Sequence, residues 1–355
     1  MSIYRRLHLL VNKWLFETVS NISSRTWPQV ALFATLLGVL SSSPINAADW
    51  DSVDELLTAV VGIHATVPAQ ARTAGTLGKE RVGSGVLIDS NGLIVTIGYL
   101  ILEAEQVEIA LPGGELVPVK VLAYDYETGF GLLRATADVN IRPMELGSST
   151  GLTLGEKMLI ASYGGSQTVR PAMFAGEREF AGYWEYLLED ALFTVPPYPR
   201  FGGAALITLS GKLIGIGSLT VGDAFDDGTL MVPGNMFLPI DRLKSVLGDL
   251  LSDGRSSGPR RPWLGIYTEE VEGGLLVQRV ADDGPAMAAG IKPGDIIAAA
   301  GGEPIVSMAD FYRKVWAQGE PGDMVSITVI KGTDVHELAI RSADRYQWLR
   351  LQHTN

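Results

Sequence analysis

Apolar residues follow two rhythms along this chain, and the changes between them mark its organisation. From about residue 53 to residue 251 they come in short runs separated by turn signals. Residues 85–88 and 93–96 flank Asp89-Ser90-Asn91-Gly92, whose Asn-Gly pair suits the positive φ angles of a hairpin. Val107, Ile109 and Leu111 alternate with polar or small residues up to Pro112-Gly113-Gly114, and Val117, Val119 and Val121 resume the two-residue period beyond it. Many short strands at close spacing predict an all-β barrel or sandwich. At residues 239–251 the period becomes helical, with Ile240, Leu243, Val246, Leu247 and Leu250 on one face.

Residues 252–262 are rich in Ser, Gly, Pro and Arg and read as a linker. A compact segment of about 80 residues follows, a small domain by length. It has strands at 275–280 and 325–330 and a helix after Ser307, which forms a capping pair with Asp310. Met308, Phe311, Tyr312, Val315 and Trp316 form that helix's apolar face. Upstream of everything, residues 1–47 read as an export signal. Arg5, Arg6, Lys13 and Arg25 supply basic charge, residues 30–40 an apolar run, and Ala47-Ala48 a cleavage point. The run is short for a span of roughly 20 residues. An uncleaved anchor that includes residues 14–16 is the alternative.

Composition narrows the picture. Forty-one glycines predict many tight turns, and the absence of cysteine excludes disulfides and thiolate chemistry. The net charge is −12, and −15 once residues 1–47 are removed (24 basic against 39 acidic residues), which argues against nucleic acid as a partner. No pattern calls for a metal or another cofactor.

The C-terminal segment carries Trp263-Leu264-Gly265-Ile266, then residues 274–280, then Gly284-Pro285-Ala286-Met287-Ala288-Ala289-Gly290-Ile291-Lys292-Pro293-Gly294-Asp295-Ile296-Ile297. This order resembles the PDZ domains of HtrA/Deg proteins. The resemblance implies that the loop at Leu264-Gly265-Ile266 offers backbone amides to a peptide's C-terminal carboxylate. It also implies that the peptide adds as a strand beside a groove helix at residues 310–317. The expected peptide-binding residues are Trp263, Leu264, Gly265, Ile266, Phe311, Tyr312 and Val315. A tryptophan at Gly265 is expected to block that loop and spare the fold.

The N-terminal segment resembles the trypsin-like domain of the same family. Val82-Gly83-Ser84-Gly85-Val86-Leu87-Ile88 with residues 93–96 is similar to its opening hairpin. Residues 123–133 are similar to the strand region that brings the triad aspartate, and Leu146-Gly147-Ser148-Ser149 to the second barrel's opening. Leu213-Ile214-Gly215-Ile216 and Leu230-Met231-Val232-Pro233 are similar to its closing strands. The family's chemistry needs a serine, a base that deprotonates it and a carboxylate that orients the base. The histidine position is occupied by Tyr99, the aspartate position by Gly129 and the serine position by Phe201. Two residues before Phe201, where an oxyanion amide belongs, stands Pro199, which has no N–H. Loss of one such donor costs on the order of 10²–10³ in rate. The expectation is therefore a chain that is not an enzyme.

Other constellations are weaker. His64, the single histidine of the barrel region, is expected on an edge strand, and a pairing of Ser162 or Ser166 with Lys157 has no motif behind it. Glu177, Glu179, Glu185, Glu189 and Asp190 surround Phe180, Tyr183, Trp184 and Tyr186 and read as a solvated loop and helix face. Pro196-Pro197-Tyr198-Pro199 reads as a rigid loop.

The resulting organisation is an all-β-dominated chain. It runs signal or anchor 1–47, trypsin-like double β-barrel 48–251, linker 252–262, a small α+β PDZ domain 263–345 and tail 346–355. The expected function is that of a periplasmic or secreted scaffold, non-catalytic, which captures peptides or unfolded protein C-termini in envelope protein quality control. The alternatives are a serine endopeptidase with residual or unconventional activity, and a regulatory subunit of an active homologue. The resemblance adds a homo-trimer or a mixed assembly as the form in which it works.

Overall fold

The computed structural model describes residues 52–349; the expected export signal or anchor at 1–47 lies outside them. A short helix α1 (Val53–Thr58), capped by Ser52 Oγ, leads into the first barrel. Its strands are β1 (Val60–Thr66), β2 (Glu80–Leu87), β3 (Leu93–Ile97), β4 (Gln106–Ala110), β5 (Leu116–Tyr124) and β6 (Phe130–Ala135), closed in the order β1-β2-β3-β6-β5-β4. Helix α2 (Ala74–Leu77) lies in the connection from β1 to β2. The turn at Gly92 has φ +77°, and Asp89 Oδ1 accepts from the amides of Asn91 and Leu93, so the expected Asn-Gly hairpin forms as its chemistry dictates. His64 pairs with Val82 on β2 and with Glu108 on β4. Closure of the barrel leaves β1 without a free edge, so the expected edge position is corrected; the side chain points outward.

The second barrel comprises β7 (Lys157–Ala161), β8 (Arg170–Gly182), β9 (Tyr186–Val195), β10 (Ala205–Thr208), β11 (Leu213–Asp226) and β12 (Met231–Pro239), closed as β10-β11-β12-β9-β8-β7. Strand β3 is buried at every position, because it faces the barrel interior on one side and the second barrel on the other. One apolar cluster, including Ile63, Phe130, Phe193 and Leu238, runs through both barrels and continues under helix α3 (Ile240–Asp253) through Ile240, Leu243 and Leu250. Helix α3 ends at Gly254, in the left-handed conformation that glycine adopts without a Cβ clash.

The last unit is a sheet ordered β13-β14-β15-β17-β18, from β13 (Ile266–Val271), β14 (Gly274–Val280), β15 (Ile296–Ala300), β17 (Met324–Lys331) and β18 (Asp334–Arg341). The two-residue β16 (Glu303–Pro304) pairs with β15. Helices α4 (Pro285–Ala288) and α5 (Met308–Trp316) cover it. Ser307 Oγ accepts from Asp310 N at 3.1 Å, the capping pair expected from sequence. The fold is thus a trypsin-like double β-barrel followed by a PDZ domain.

Two expectations about connections change. The stretch before the PDZ domain is tied down: Ser257 gives Asp249 two hydrogen bonds, and Arg261 lies 4.0 Å over the Trp316 ring. Arg255 and Arg260 both pair with Asp344. Beyond β18, part of the expected tail forms helix α6 (Arg345–Trp348), and Trp348 packs on Trp263 with ring centroids 4.6 Å apart. Among the described residues no helix is long and apolar enough to cross a membrane.

Candidate functional site

Tyr99 sits on a 3-10 turn, Gly98–Leu100, directly after β3. Buried Arg81 fixes that turn by donating to the carbonyls of Tyr99 and Leu102, both at 2.8 Å, and to Thr73 Oγ1. The Tyr99 hydroxyl crosses to the second barrel and donates to the Ser218 carbonyl at 3.0 Å. Burial pushes its pKa well above the ordinary phenol value, so it stays a neutral donor and does not serve as a base near neutral pH.

Gly129 closes a tight turn at φ +86°. Its amide donates to Asp125 O, and Asp125 Oδ2 accepts from the Thr128 amide and hydroxyl. The Gly98 amide donates to Gly129 O at 2.8 Å, which sets this turn against the one bearing Tyr99. A Cβ at Gly129 would lie 3.1 Å from the Tyr186 hydroxyl, so a side chain there has little room.

Phe201 belongs to the loop between β9 and β10. The expected rigidity of Pro196-Pro197-Tyr198-Pro199 has a physical anchor in Tyr198. Its amide and carbonyl bond the Asn235 side chain, and its hydroxyl bonds Ser162 Oγ and Thr168 O. The Gly202 carbonyl accepts from Ser84 N at 2.9 Å, and the Gly203 amide donates to Gly217 O at 2.9 Å. A Cβ on Gly202 would be 3.0 Å from the Tyr99 hydroxyl. The turns carrying 99, 129 and 201 thus converge where the two barrels meet, and their side chains there are a phenol, a hydrogen atom and a benzyl group. Pro199 and Arg200 are exposed beside a cleft of about 510 Å³ lined also by Thr168, Arg170, Pro171 and Pro197. Ser162 is bonded to Tyr198, while Lys157 opens strand β7 five residues earlier and Ser166 lies on the 3-10 turn Gly165–Thr168. Among the described residues no group of three His, Asp or Glu side chains is placed to hold a metal ion.

The second site is the loop at Leu264-Gly265-Ile266. Its three amides converge on one carboxylate, that of Glu185: Leu264 N donates to Oε2 at 3.0 Å, and Gly265 N and Ile266 N donate to Oε1 at 2.5 and 2.7 Å. Glu185 is 2% exposed and stands at the tip of the β8–β9 hairpin. This corrects the helix part of the expectation at residues 177–190, which form two barrel strands and their tip; Glu177 and Glu189 are solvated as expected, whereas Glu185 is buried. Burial pushes the Glu185 pKa up, while the three amides and the Arg345 guanidinium pull against it.

Phe311, Tyr312 and Val315 of helix α5 are each at most 2% exposed, as are Leu264 and Ile266, and Trp263 is 3% exposed. All but Trp263, which packs on Trp348, belong to the PDZ core cluster, and Leu187 from the barrel hairpin joins them there. Gly265 has φ +79°, and a Cβ there would lie 3.0 Å from Ala281 Cβ and 3.1 Å from the Trp263 ring. A tryptophan at 265 therefore strains the backbone and does not spare the fold. The burial of Glu185 and its contact with the PDZ loop are what sequence reasoning missed. The signal was faint: a Gly182-Tyr183-Trp184-Glu185 tip between two runs of apolar residues.

Comparison with known proteins agrees with the architecture. Residues 83–216 match the trypsin-like peptidase domain family and residues 262–341 the PDZ domain family. The chain is 25% identical over 287 residues to a probable periplasmic serine endoprotease, DegP-like, of Pseudomonas fulva, covering 75% of this chain and 57% of the relative. It is 24% identical over 328 residues to the serine endoprotease DegS of Escherichia coli K12, covering 84% of this chain and 90% of the relative. The chain spans about half the length of the DegP-like relatives it matches. A solved serine endoprotease from Yersinia pestis aligns with TM-score 0.48 and 23% identity over 82% of this chain and 96% of that one.

These comparisons overturn the expectation that the chain is not an enzyme. The peptidase family match runs through residues 99, 129 and 201, and the relatives are named serine endoproteases.

Proposed function

The chain belongs to the HtrA-type proteins, a trypsin-like peptidase domain followed by a PDZ domain, and from that premise we propose that it recognises polypeptide C-termini in the bacterial periplasm through its PDZ groove. The observation that carries the reading is the convergence of the Leu264, Gly265 and Ile266 amides on a single carboxylate. Three successive N–H groups aimed at one point are a carboxylate receptor by construction, since charge-assisted bonds from fixed donors are the strong ones. The periplasmic location is supported by the names of the Pseudomonas relatives. Calorimetric titration of the whole chain with a short peptide ending in leucine tests the reading. Binding by the free acid and its loss on C-terminal amidation supports it; equal binding of both overturns it.

A second reading, serine endopeptidase activity, is supported by the relatives' names. It uses groups other than side chains at 99, 129 and 201. Fluorophosphonate labelling followed by peptide mass spectrometry tests it, with one modified serine as the supporting result and no modified serine as the contrary one. Assembly as a homo-trimer, or with an active homologue, belongs to the same proposal and is read from the mass in solution.

A further inference from the structure

The tip of the β8–β9 hairpin reaches out of the barrel and into the groove between β13 and helix α5. Besides the Glu185 carboxylate on the three amides, the Tyr183 carbonyl accepts from the Thr268 amide of β13 at 3.2 Å. That is the kind of bond a strand added at the edge of β13 makes. The Tyr312 hydroxyl donates to Gly182 O at 2.7 Å and accepts from Glu185 N at 3.2 Å, so the helix side of the groove holds the tip too. Arg345 donates to the Trp184 carbonyl at 3.0 Å, and Leu187 packs into the PDZ core. A carboxylate in the amide loop, a carbonyl on the first strand and an apolar side chain in the core together reproduce, within one chain, what a bound C-terminus would supply.

The tip is also held under strain. Glu185 has φ +57°, a conformation that a residue with a Cβ keeps only where its surroundings determine it. Buried amides without an acceptor are unfavourable, so a ligand that displaces Glu185 is favoured if it brings a carboxylate of its own. A polypeptide ending in a free carboxylate meets that condition and can continue along β13 in place of Tyr183.

We propose that residues 182–185 are an internal ligand of the PDZ groove, and that the external ligands of this protein are chain termini with a free carboxylate that displace it. This rests on the groove reading given above. Displacement is felt beyond the PDZ domain: the next residue, Tyr186, donates to Thr128 O at 2.9 Å, so the tip is joined to the turn that carries Gly129.

The test is fluorescence anisotropy with a fluorescein-labelled peptide ending in leucine, as free acid and as carboxamide, on the whole wild-type chain and on Glu185→Gly. Glycine keeps the positive φ and removes the carboxylate. Because a docked tip lowers apparent affinity by the fraction of open groove, the variant is expected to bind the free acid at least about tenfold more tightly than wild type. The carboxamide is expected to bind neither. Glu185→Gln, which keeps the volume and loses the charge, moves affinity the same way and serves if the glycine variant does not fold. Equal, carboxylate-dependent affinity in wild type and variants overturns the internal ligand and leaves the groove reading standing. Absence of free-acid binding in every form overturns both.

Discussion

Asn235 is the residue on which the shape of the loop leading to Phe201 depends, and its removal can be worked through from the structure. The side chain is fully buried on β12. Its Oδ1 accepts from Tyr198 N at 2.5 Å, and its Nδ2 donates to Tyr198 O at 3.1 Å and Thr220 Oγ1 at 3.2 Å. Tyr198 lies among three prolines, none of which offers an amide, so its own backbone pair is the polar attachment of the loop's proline-rich first half, while Gly202 and Gly203 tie down its end. Asn235→Ala strands a buried N–H and a buried C=O at about 1–3 kcal/mol each, which gives roughly 2–6 kcal/mol in total. For a domain of this size that corresponds to a fall in Tm of roughly 5–20 °C. Ser162→Ala is the control. It takes one partner from the Tyr198 hydroxyl, which still donates to Thr168 O, so the expected loss is about 1 kcal/mol. Thermal unfolding followed by far-UV circular dichroism reads both. If Asn235→Ala costs no more than Ser162→Ala, the loop is held by something other than this side chain.

Two further outcomes follow from local geometry. Burial pushes the Asp241 carboxyl up, but Lys244, Ser148 and Ser149 together hold it well below the usual carboxylate range. Its stabilisation is therefore present above the unfolded value near pH 4 and is lost as pH falls toward the lower folded value. The urea midpoints of wild type and Asp241→Asn should differ at pH 7 and converge in strong acid, whereas a constant gap contradicts the assignment. Gly203 has φ +72° and a Cβ there would fall 1.8 Å from Ser84 O, whereas Gly113, at φ +98°, has no atom within 4 Å. Gly113→Ala should cost only the backbone strain, about 1–2 kcal/mol, and Gly203→Ala should cost clearly more or yield no folded protein; similar urea midpoints refute this.

The frame was legible in the sequence because its signals are local. Asn91-Gly92 states its own turn, Ser307 and Asp310 their own helix start, and the 3.6-residue period at 240–250 its own buried face. What escaped depends on contacts between distant residues. A period-two pattern places His64 on a strand but does not say that the barrel closes around it. Acidic residues among aromatics ordinarily mean a solvated surface, and nothing near Glu185 announces three amides some 80 positions further on. Burial of a carboxylate is paid for by partners, and those partners are visible only after folding. The resemblance singled out the turns at 99, 129 and 201, and the structure brings these turns close together between the barrels. Reading the absence of activity from the residue types at those three positions was the step the relatives corrected.

The most direct measurement of the central claim follows the amide resonances of Leu264, Gly265 and Ile266 while the whole chain is titrated with a peptide ending in leucine. These amides already hold a carboxylate, so exchange of Glu185 for the peptide terminus predicts shifts that begin at these amides and at Thr268 N, with loss of the Tyr183 contact. The carboxamide form is predicted to leave them unmoved. Shifts confined to the barrels, or the same response to both peptide forms, would contradict the assignment of this loop as the recognition surface.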